Sequence, residues 1–352
     1  MLLSFILQRL LYGLAILAGV LMVVFVLFNV LPGDPAAMMA GQRTDVSTKE
    51  AINKELGLDK PLPMQLLIYL NDVSPLSIHD DTEENQKKYD YQRLIPAGEK
   101  VIVAKVPYLR RSFQSNKGVT DIILDHLTGT LWLALAAMLI ATVFGILLGV
   151  FAALKPHTWV DHLLVSGSVL GISVPSFVAG ILIAMLFGFY WSEYTGLSMA
   201  GQLYEVDPFT GRHLALKNLI LPAVALGIRP LAIIVQLTRS SMLEVLSKDY
   251  IRTARAKGLS GRAVVIRHAL RNALNPVITA VSGWLASLMA GAFFIEYIFN
   301  WKGLGAVTIK AVENLDFPVV MGATLFVAAL FIVINILVDI LYAVLDPRVK
   351  LG

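Results

Sequence analysis

Six apolar runs, each long enough to cross a bilayer, restrict this chain more than any other feature of its sequence. They cover Leu10–Val30, Leu131–Leu154, Leu163–Tyr190, Leu219–Leu237, Pro276–Ile295 and Pro318–Leu345. A helix needs about 20 predominantly apolar residues to span the hydrocarbon core. The expected fold is therefore all-α, a polytopic membrane protein with six transmembrane helices. Composition agrees: 57% of residues are apolar and 15% charged, with a mean hydropathy of +0.70, against roughly 25% charged residues in soluble domains. Small residues between Ala36 and Ala40 follow the first run as they would a signal peptide. Its apolar stretch exceeds the roughly 7–15 residues of a leader core, so it is read as a retained helix.

Charge orients the runs. Between the fourth and fifth stand Arg239, Lys248, Arg252, Arg255, Lys257, Arg262, Arg267 and Arg271, against only Glu244 and Asp249. Short loops rich in Lys and Arg stay cytoplasmic. With Arg9, Lys155, Arg348 and Lys350 on the same side, six spans close with both termini in the cytoplasm. The loop from about Leu31 to Thr120 then lies outside, and its lysines are no objection, because loops beyond about 60 residues cross regardless of charge. Three parts follow: an N-terminal transmembrane helix (1–30), an extracytoplasmic segment (31–120) and a five-span core (121–352) with a cytoplasmic loop at about 239–275. The net charge of +4 is small and its basic excess sits in one short loop, which speaks for topology and against a nucleic-acid partner.

In the outer segment, Ser47-Thr-Lys-Glu50 reads as a capping box, Gly57 suits the C′ position and Pro61 stops the helix. Val101-Ile-Val-Ala104 reads as a strand, and the remainder as a solvated surface insert.

Within the spans, Gly145-Ile-Leu-Leu-Gly149 and Gly167-Ser-Val-Leu-Gly171 offer the small-residue spacing that lets helix backbones approach. Pro175 should kink the third helix, with Ser173 or Ser176 satisfying the carbonyl it frees. Two ionisable residues lie inside spans, where such groups mark functional sites by default. Arg229 sits mid-span, either in a pathway or in an ion pair. Asp339 lies one to two turns from the cytoplasmic end of the sixth run, where an ion pair is expected, with Arg239 as candidate partner. The 6 histidines fall outside the runs, so no proton relay is expected, and His157 and His162 read as solvated loop residues.

Several chemistries are missing. The chain has 0 cysteines, which removes disulfides and thiol nucleophiles. No G-x-x-x-x-G-K-[ST] loop occurs to cradle nucleotide phosphates, and no nucleophile with its base or zinc-type ligand cluster stands at membrane depth. The expectation is a protein that is not an enzyme, with no catalytic or metal residues and no cofactor of its own. Energy for transport must come from an ion gradient or from another subunit.

The basic loop reads as a helix-turn-helix. Ser240 to Lys257 has helix-forming composition, Gly258 can take the left-handed stop, and Ser260 can cap a second helix to about Asn272. On these grounds it is either an amphipathic pair resting on anionic lipid or a docking element.

The segment Tyr250-Ile-Arg-Thr-Ala-Arg-Ala-Lys-Gly-Leu-Ser260, followed by Arg267-His-Ala-Leu-Arg-Asn-Ala-Leu-Asn-Pro276, resembles the coupling loop of binding-protein-dependent ABC importer permeases of the dipeptide, oligopeptide and nickel branch. Leu31-Pro-Gly-Asp-Pro-Ala36, Leu56-Gly-Leu-Asp-Lys-Pro-Leu-Pro63, Leu237-Thr-Arg-Ser-Ser-Met-Leu-Glu-Val245, Ile298-Phe-Asn-Trp-Lys-Gly-Leu-Gly305 and Leu345-Asp-Pro-Arg348 are similar to that branch's B-type permease. The resemblance implies a type I permease fold in the cytoplasmic membrane. It implies as partners a second homologous permease, two cytoplasmic ATP-binding subunits that hold ATP and Mg, an extracytoplasmic solute-binding protein and the lipid bilayer. It places the ATPase contacts at Thr253, Ala254, Ala256, Lys257, Gly258 and Leu259, flanked by Tyr250 and Arg255, and makes the cargo a peptide or, as the alternative, nickel or another small solute. The general signature of such importers begins Glu-Ala-Ala, where this chain has Arg252-Thr253-Ala254, and the outer loop is longer than usual between about Leu76 and Lys105. The competing class is a gradient-driven secondary transporter, which calls for inverted repeats and midplane polar sites that the sequence does not show.

Overall fold

A computed structural model describes residues 2–30, 57, 59–207, 209 and 211–345. The expectations for Leu31–Ala36, the capping box at Ser47–Glu50, the residues before Gly57, and Arg348 and Lys350 lie outside these residues.

The apolar runs become helices because a helix satisfies its backbone internally, which lipid demands. They are α1 (Leu2–Val30), α4 (Val119–Leu154), α5 (Trp159–Ser173) with α6 (Ser176–Met185), α8 (Lys217–Leu246), α12 (Asn275–Gly291) and α15 (Phe317–Leu345). Before α4 come α2 (Leu62–Val73), β1 (Leu76–Asp80), α3 (Glu83–Tyr89), β2 (Gln92–Ala97) and β3 (Lys100–Ala104). Between α6 and α8 lie a π-helical stretch at Leu186–Tyr190, the short α7 (Ser192–Thr195) and the hairpin β4 (Tyr204–Asp207) and β5 (Gly211–Leu214). The surface helix α9 (Asp249–Ala256) follows α8; its successor comprises α10 (Gly261–Ala263), a π-helical stretch Val264–Leu270 and α11 (Arg271–Ala273). Finally, α13 (Phe293–Ile298) and α14 (Leu304–Glu313) stand between α12 and α15.

By length and composition, four described helices can cross a membrane, or up to 5 if the bent pair α5–α6 is one span. Six spans are therefore not reached by that measure. The fifth expected span is shorter than its apolar run: α12 has 17 residues, Ala292 leaves helical geometry at ψ 7°, and α13 begins a new helix. Pro175 does more than kink the third: α5 and α6 meet at 108°. Pro lacks the N–H that would continue the ladder, and the Ser173 hydroxyl bonds Val169 O at 2.8 Å, further back than the carbonyl that Pro175 frees.

The chain forms two compact units. One comprises Met1–Leu11, His126–Val307 and Ala329–Gly352; the other comprises Tyr12–Asp125 and Thr308–Ala328. The first is built around α8, whose Ala223, Ala225, Ala232, Ile234 and Val235 are at most 1% exposed. In lipid, association rests on packing rather than on apolar transfer, and the glycines show where it is tightest. A Cβ added at Gly149 would lie 2.6 Å from Thr238 Cβ and 2.8 Å from Val235 O, and one at Gly145 would lie 2.7 Å from Ile234 Cγ2. The first glycine pair is thus a true α4–α8 contact. In the second pair, a Cβ added at Gly171 would lie 3.2 Å from Ile228 Cγ2, whereas one at Gly167 would meet nothing within 4 Å.

In the other unit, β1, β3 and β2 form an antiparallel sheet in that order, so the segment expected to be a solvated insert is folded. Val101 and Val103 point inward at 3% and 0% exposure, and the expected strand at 101–104 is its central one. Thr82 caps α3 by accepting from Asn85 N at 3.2 Å.

Candidate functional site

The expected coupling loop begins where α8 ends, at Leu246 rather than at the close of its apolar run. Ser247 and Lys248 break the helix, and α9 starts afresh with Asp249 in its first turn and Arg255 in its last, both favourable to the helix dipole. Its inner face carries Ile251, 0% exposed, and Ala254, 6% exposed. They pack with Ala153 of α4, Met242 of α8, and Val264, Ala269 and Ala273 of the following helix.

The turn out of α9 is closed by two hydrogen bonds. Gly258 N donates to Arg255 O at 2.9 Å and Leu259 N to Ala254 O at 3.3 Å. This pairing is the Schellman motif, which requires a left-handed residue at its penultimate position, and Gly258 has φ +76°. Ser260 then accepts from Ala263 N at 3.4 Å and starts the second helix, whose centre is π-helical, unlike the regular helix expected. The Tyr250 hydroxyl accepts from Asn272 Nδ2 at 3.1 Å and ties the two helices together.

Of the residues expected to meet an ATPase, Tyr250, Thr253, Arg255, Ala256, Lys257, Gly258 and Leu259 are exposed. Ala254 is not: it faces the interior as the Schellman acceptor and supports the surface without belonging to it. Sequence spacing alone could not distinguish it from its neighbours, because only the burial of Ile251 fixes which face turns inward.

The charges expected within or beside the spans pair differently from the expectation. Arg239 takes Asp161 as its partner, with Nε 2.5 Å from Oδ1 and Nη2 2.7 Å from Oδ2. His157 N also donates to Asp161 Oδ2 at 2.9 Å, and the carboxylate is 2% exposed. This two-pronged bond joins the start of α5 to α8 upstream of α9. Asp339 instead pairs with Arg9 at 3.0 Å. Arg229 stays exposed in mid-helix and bonds to no other described residue.

A buried carboxylate escaped the sequence reading altogether. Glu296 is 0% exposed; its Oε1 accepts from the Thr130 hydroxyl at 2.7 Å, and its Oε2 from Gly305 N at 2.6 Å and Ala306 N at 3.1 Å. It therefore caps α14 and fastens that helix to α4. Added Cβ atoms at Gly303 and Gly305 would collide with the carboxylate or with Phe293, which explains the small residues of Gly303-Leu-Gly305. An acid just upstream of two closely spaced glycines was the available signal.

The second unit has its own polar centre at Asp72, 4% exposed. Its carboxylate receives Arg110 Nε at 3.1 Å and the Tyr89 hydroxyl at 3.0 Å, and its carbonyl receives Lys105 Nζ. Burial pushes Lys105 down to about 8. Burial, then the nearby Lys105, lowers the pKa of His79, which stacks on Tyr89 at 4.1 Å. A cavity of about 670 Å³ opens beside this cluster, lined by Asn71, Asp72, His79, Asp80, Tyr89 and Lys100 among others. Asn71 is already bonded to Ile78 N and O, both at 2.9 Å, so its side chain is spent on structure.

Comparison with known proteins bears on the whole chain. The description "Binding-protein-dependent transport system inner membrane component" matches residues 145–351, and its N-terminal companion matches residues 2–134. The chain is 39% identical to the di/tripeptide transport system permease protein DppB of Pseudomonas aeruginosa, over 99% of each chain. It is 38% identical to the dipeptide transport system permease protein DppB of Escherichia coli, again over 99% of each. A probable D,D-dipeptide transport system permease protein of Escherichia coli is 35% identical over 96% of this chain and 94% of its own. With a matching domain over more than half its length and relatives of this identity, the chain belongs to the family of binding-protein-dependent transport system inner membrane components.

Proposed function

We propose that this chain is the membrane-spanning permease subunit of an ATP-driven importer of short peptides in the cytoplasmic membrane. It works with a second, related permease, two cytoplasmic ATP-binding subunits that carry ATP and Mg, and an extracytoplasmic peptide-binding protein. The observation that carries the reading is the exposed, Schellman-closed turn at Gly258, set on a helix whose inner face rests on α4 and α8. Such a turn presents Thr253, Ala256, Lys257 and Leu259 on a rigid base, as a docking element requires. Peptide as cargo is supported by the full-length similarity to dipeptide permeases.

Six spans with both termini cytoplasmic fit this role. The 17 residues of α12 rise about 26 Å at 1.5 Å each, at the short end of what a bilayer accepts. Coexpression with the ATPase and binding-protein genes tests the proposal. The complex should copurify and take up dipeptide in proteoliposomes only with internal ATP, and the chain alone should neither hydrolyse ATP nor transport. Uptake by the isolated chain on a proton or sodium gradient would replace this reading with a secondary transporter.

A further inference from the structure

Arg229 is a permanent cation near the middle of α8, with about 18 Å of helix on its N-terminal side and about 25 Å on its C-terminal side. It is exposed and bonds to no other described residue. Turned toward lipid, such a group costs about 3 kcal/mol or more, and neither helix end is near enough for the side chain to snorkel out. Its face of the helix must therefore meet water or an anion.

That face stays partly open along the helix. At i+4, i+7 and i+11 from Arg229 stand Ile233 and Gln236, both half-buried, and Ser240, exposed. The other sides of the helix are sealed: Ala232, Ile234, Val235 and Thr238 are at most 1% exposed. The helix α12, which packs on α8, is built alike. Thr279, Gly283 and Ser287, at i, i+4 and i+8, are exposed, while Val277, Ala286 and Leu288 are buried. A Cβ added at Gly283 meets nothing within 4 Å.

Resting on the importer reading above, we infer that these two stripes line the water-filled path and that Arg229 is the group that receives the carboxylate terminus of the passing peptide. A short peptide always carries that anion, and a guanidinium grips a carboxylate through two parallel hydrogen bonds. Gln236 and Ser287 add polar groups for the peptide backbone. Hydration keeps the grip weak, which transport requires, because a site on a pathway must release what it binds.

The test uses the assembled importer in proteoliposomes, with cysteine-free partners; this chain has 0 cysteines of its own. Arg229→Cys should assemble with its partners as the unaltered chain does but lose dipeptide uptake at least tenfold. Reaction with the cationic reagent aminoethyl methanethiosulfonate should restore at least a third of it, whereas the neutral methyl and anionic sulfonatoethyl reagents should not. Arg229→Lys, which keeps the charge but not the two-pronged grip, should take up dipeptide at a level between the Cys variant and the unaltered chain. Ile233→Cys should react with the water-soluble reagents and Ala232→Cys should not. Wild-type uptake in the same vesicles tests the importer reading separately. The inference is overturned if Arg229→Cys loses assembly, which would make Arg229 an interface ion pair. Undiminished uptake, rescue by all three reagents alike, or an unreactive Ile233→Cys would overturn it equally.

Discussion

Replacing Gly258 separates a docking turn from a lipid-resting one, and the structure sets the size of each effect. At φ +76°, an L-residue carries about 1–2 kcal/mol of strain, Asn carries less because its side chain tolerates the left-handed region, and a β-branched residue carries up to about 3 kcal/mol. A Cβ at this position meets nothing within 4 Å, so no clash inside the chain adds to these figures. The strain falls on two hydrogen bonds, Gly258 N to Arg255 O and Leu259 N to Ala254 O, and leaves the packed face of Ile251 and Ala254 in place. The permease should therefore fold and melt as before in the absence of its ATPase.

If the ATPase reads this turn, the strain appears in its affinity. Gly258→Ala should weaken binding about 5- to 30-fold, at 1.4 kcal/mol per factor of ten. Gly258→Asn should stay nearer the unaltered chain, and Gly258→Val should lose binding by 100-fold or more, since its branches also obstruct the partner. The assay is titration of the ATPase subunit onto the detergent-solubilised permease pair, with dipeptide uptake measured in parallel. Binding and uptake by Gly258→Val at unaltered levels would refute the coupling role and leave the basic helices as a surface anchor held by charge and apolar area. An Asn variant weaker than the Ala variant would refute the left-handed argument itself.

Three other outcomes follow from the packing and the charges. Gly149→Ala should cost about 1–3 kcal/mol, because its Cβ would lie 2.8 Å from Val235 O, whereas Gly167→Ala meets nothing within 4 Å and should be neutral or stabilising; thermal midpoints in detergent compare the two. Asp161→Asn leaves Arg239 unpaired beside a site that is 2% exposed and should cost about 3 kcal/mol, with Arg239→Lys intermediate because it keeps charge but not the two-pronged geometry. His79 has its folded pKa lowered from 6.5, so below about pH 6.5 the unfolded state binds the extra proton and the unit that holds His79 loses stability as pH falls. Protection factors across residues 62–104, taken relative to the intrinsic exchange rate at each pH, should fall on acidification, and His79→Phe, which keeps the ring on Tyr89, should flatten that dependence.

What was legible in the sequence is what local pattern encodes. Apolar length located the helices, the Gly258 and Ser260 pair located the turn between α9 and α10, and Val101 to Ala104 announced its strand. The polar clusters were illegible because their members are far apart in the chain: Asp72 and Arg110 by 38 residues, Asp161 and Arg239 by 78, Thr130 and Glu296 by 166. A charged residue without its partner looks like surface, so the outer segment read as solvated although Asp72 and Lys105 are buried in it. The break at Pro175 was half legible. A missing N–H predicts a weak point, but whether it bends a little or by 108° depends on what each half packs against, and Gly180 on the far side lies against Ile295 of α13.

One continuous helix joins the proposed pathway to the proposed docking surface. Arg229, Arg239 and Met242 all stand on α8, which runs unbroken from Lys217 to Leu246. On the proposed reading, a displacement of α9 by an ATPase would reach α8 through the buried cluster that holds both Ile251 and Met242, and α5 through the bond of Arg239 to Asp161. Both routes enter below Arg229 on the helix, so a tilt of its cytoplasmic end is carried to Arg229 without any intervening loop to absorb it. Packed interfaces of this kind shift between discrete arrangements rather than deforming smoothly. The α4 contact through Gly145 and Gly149 pins α8 closely at Ile234, Val235 and Thr238, between Arg229 and the cytoplasmic end, which makes that contact the natural fulcrum.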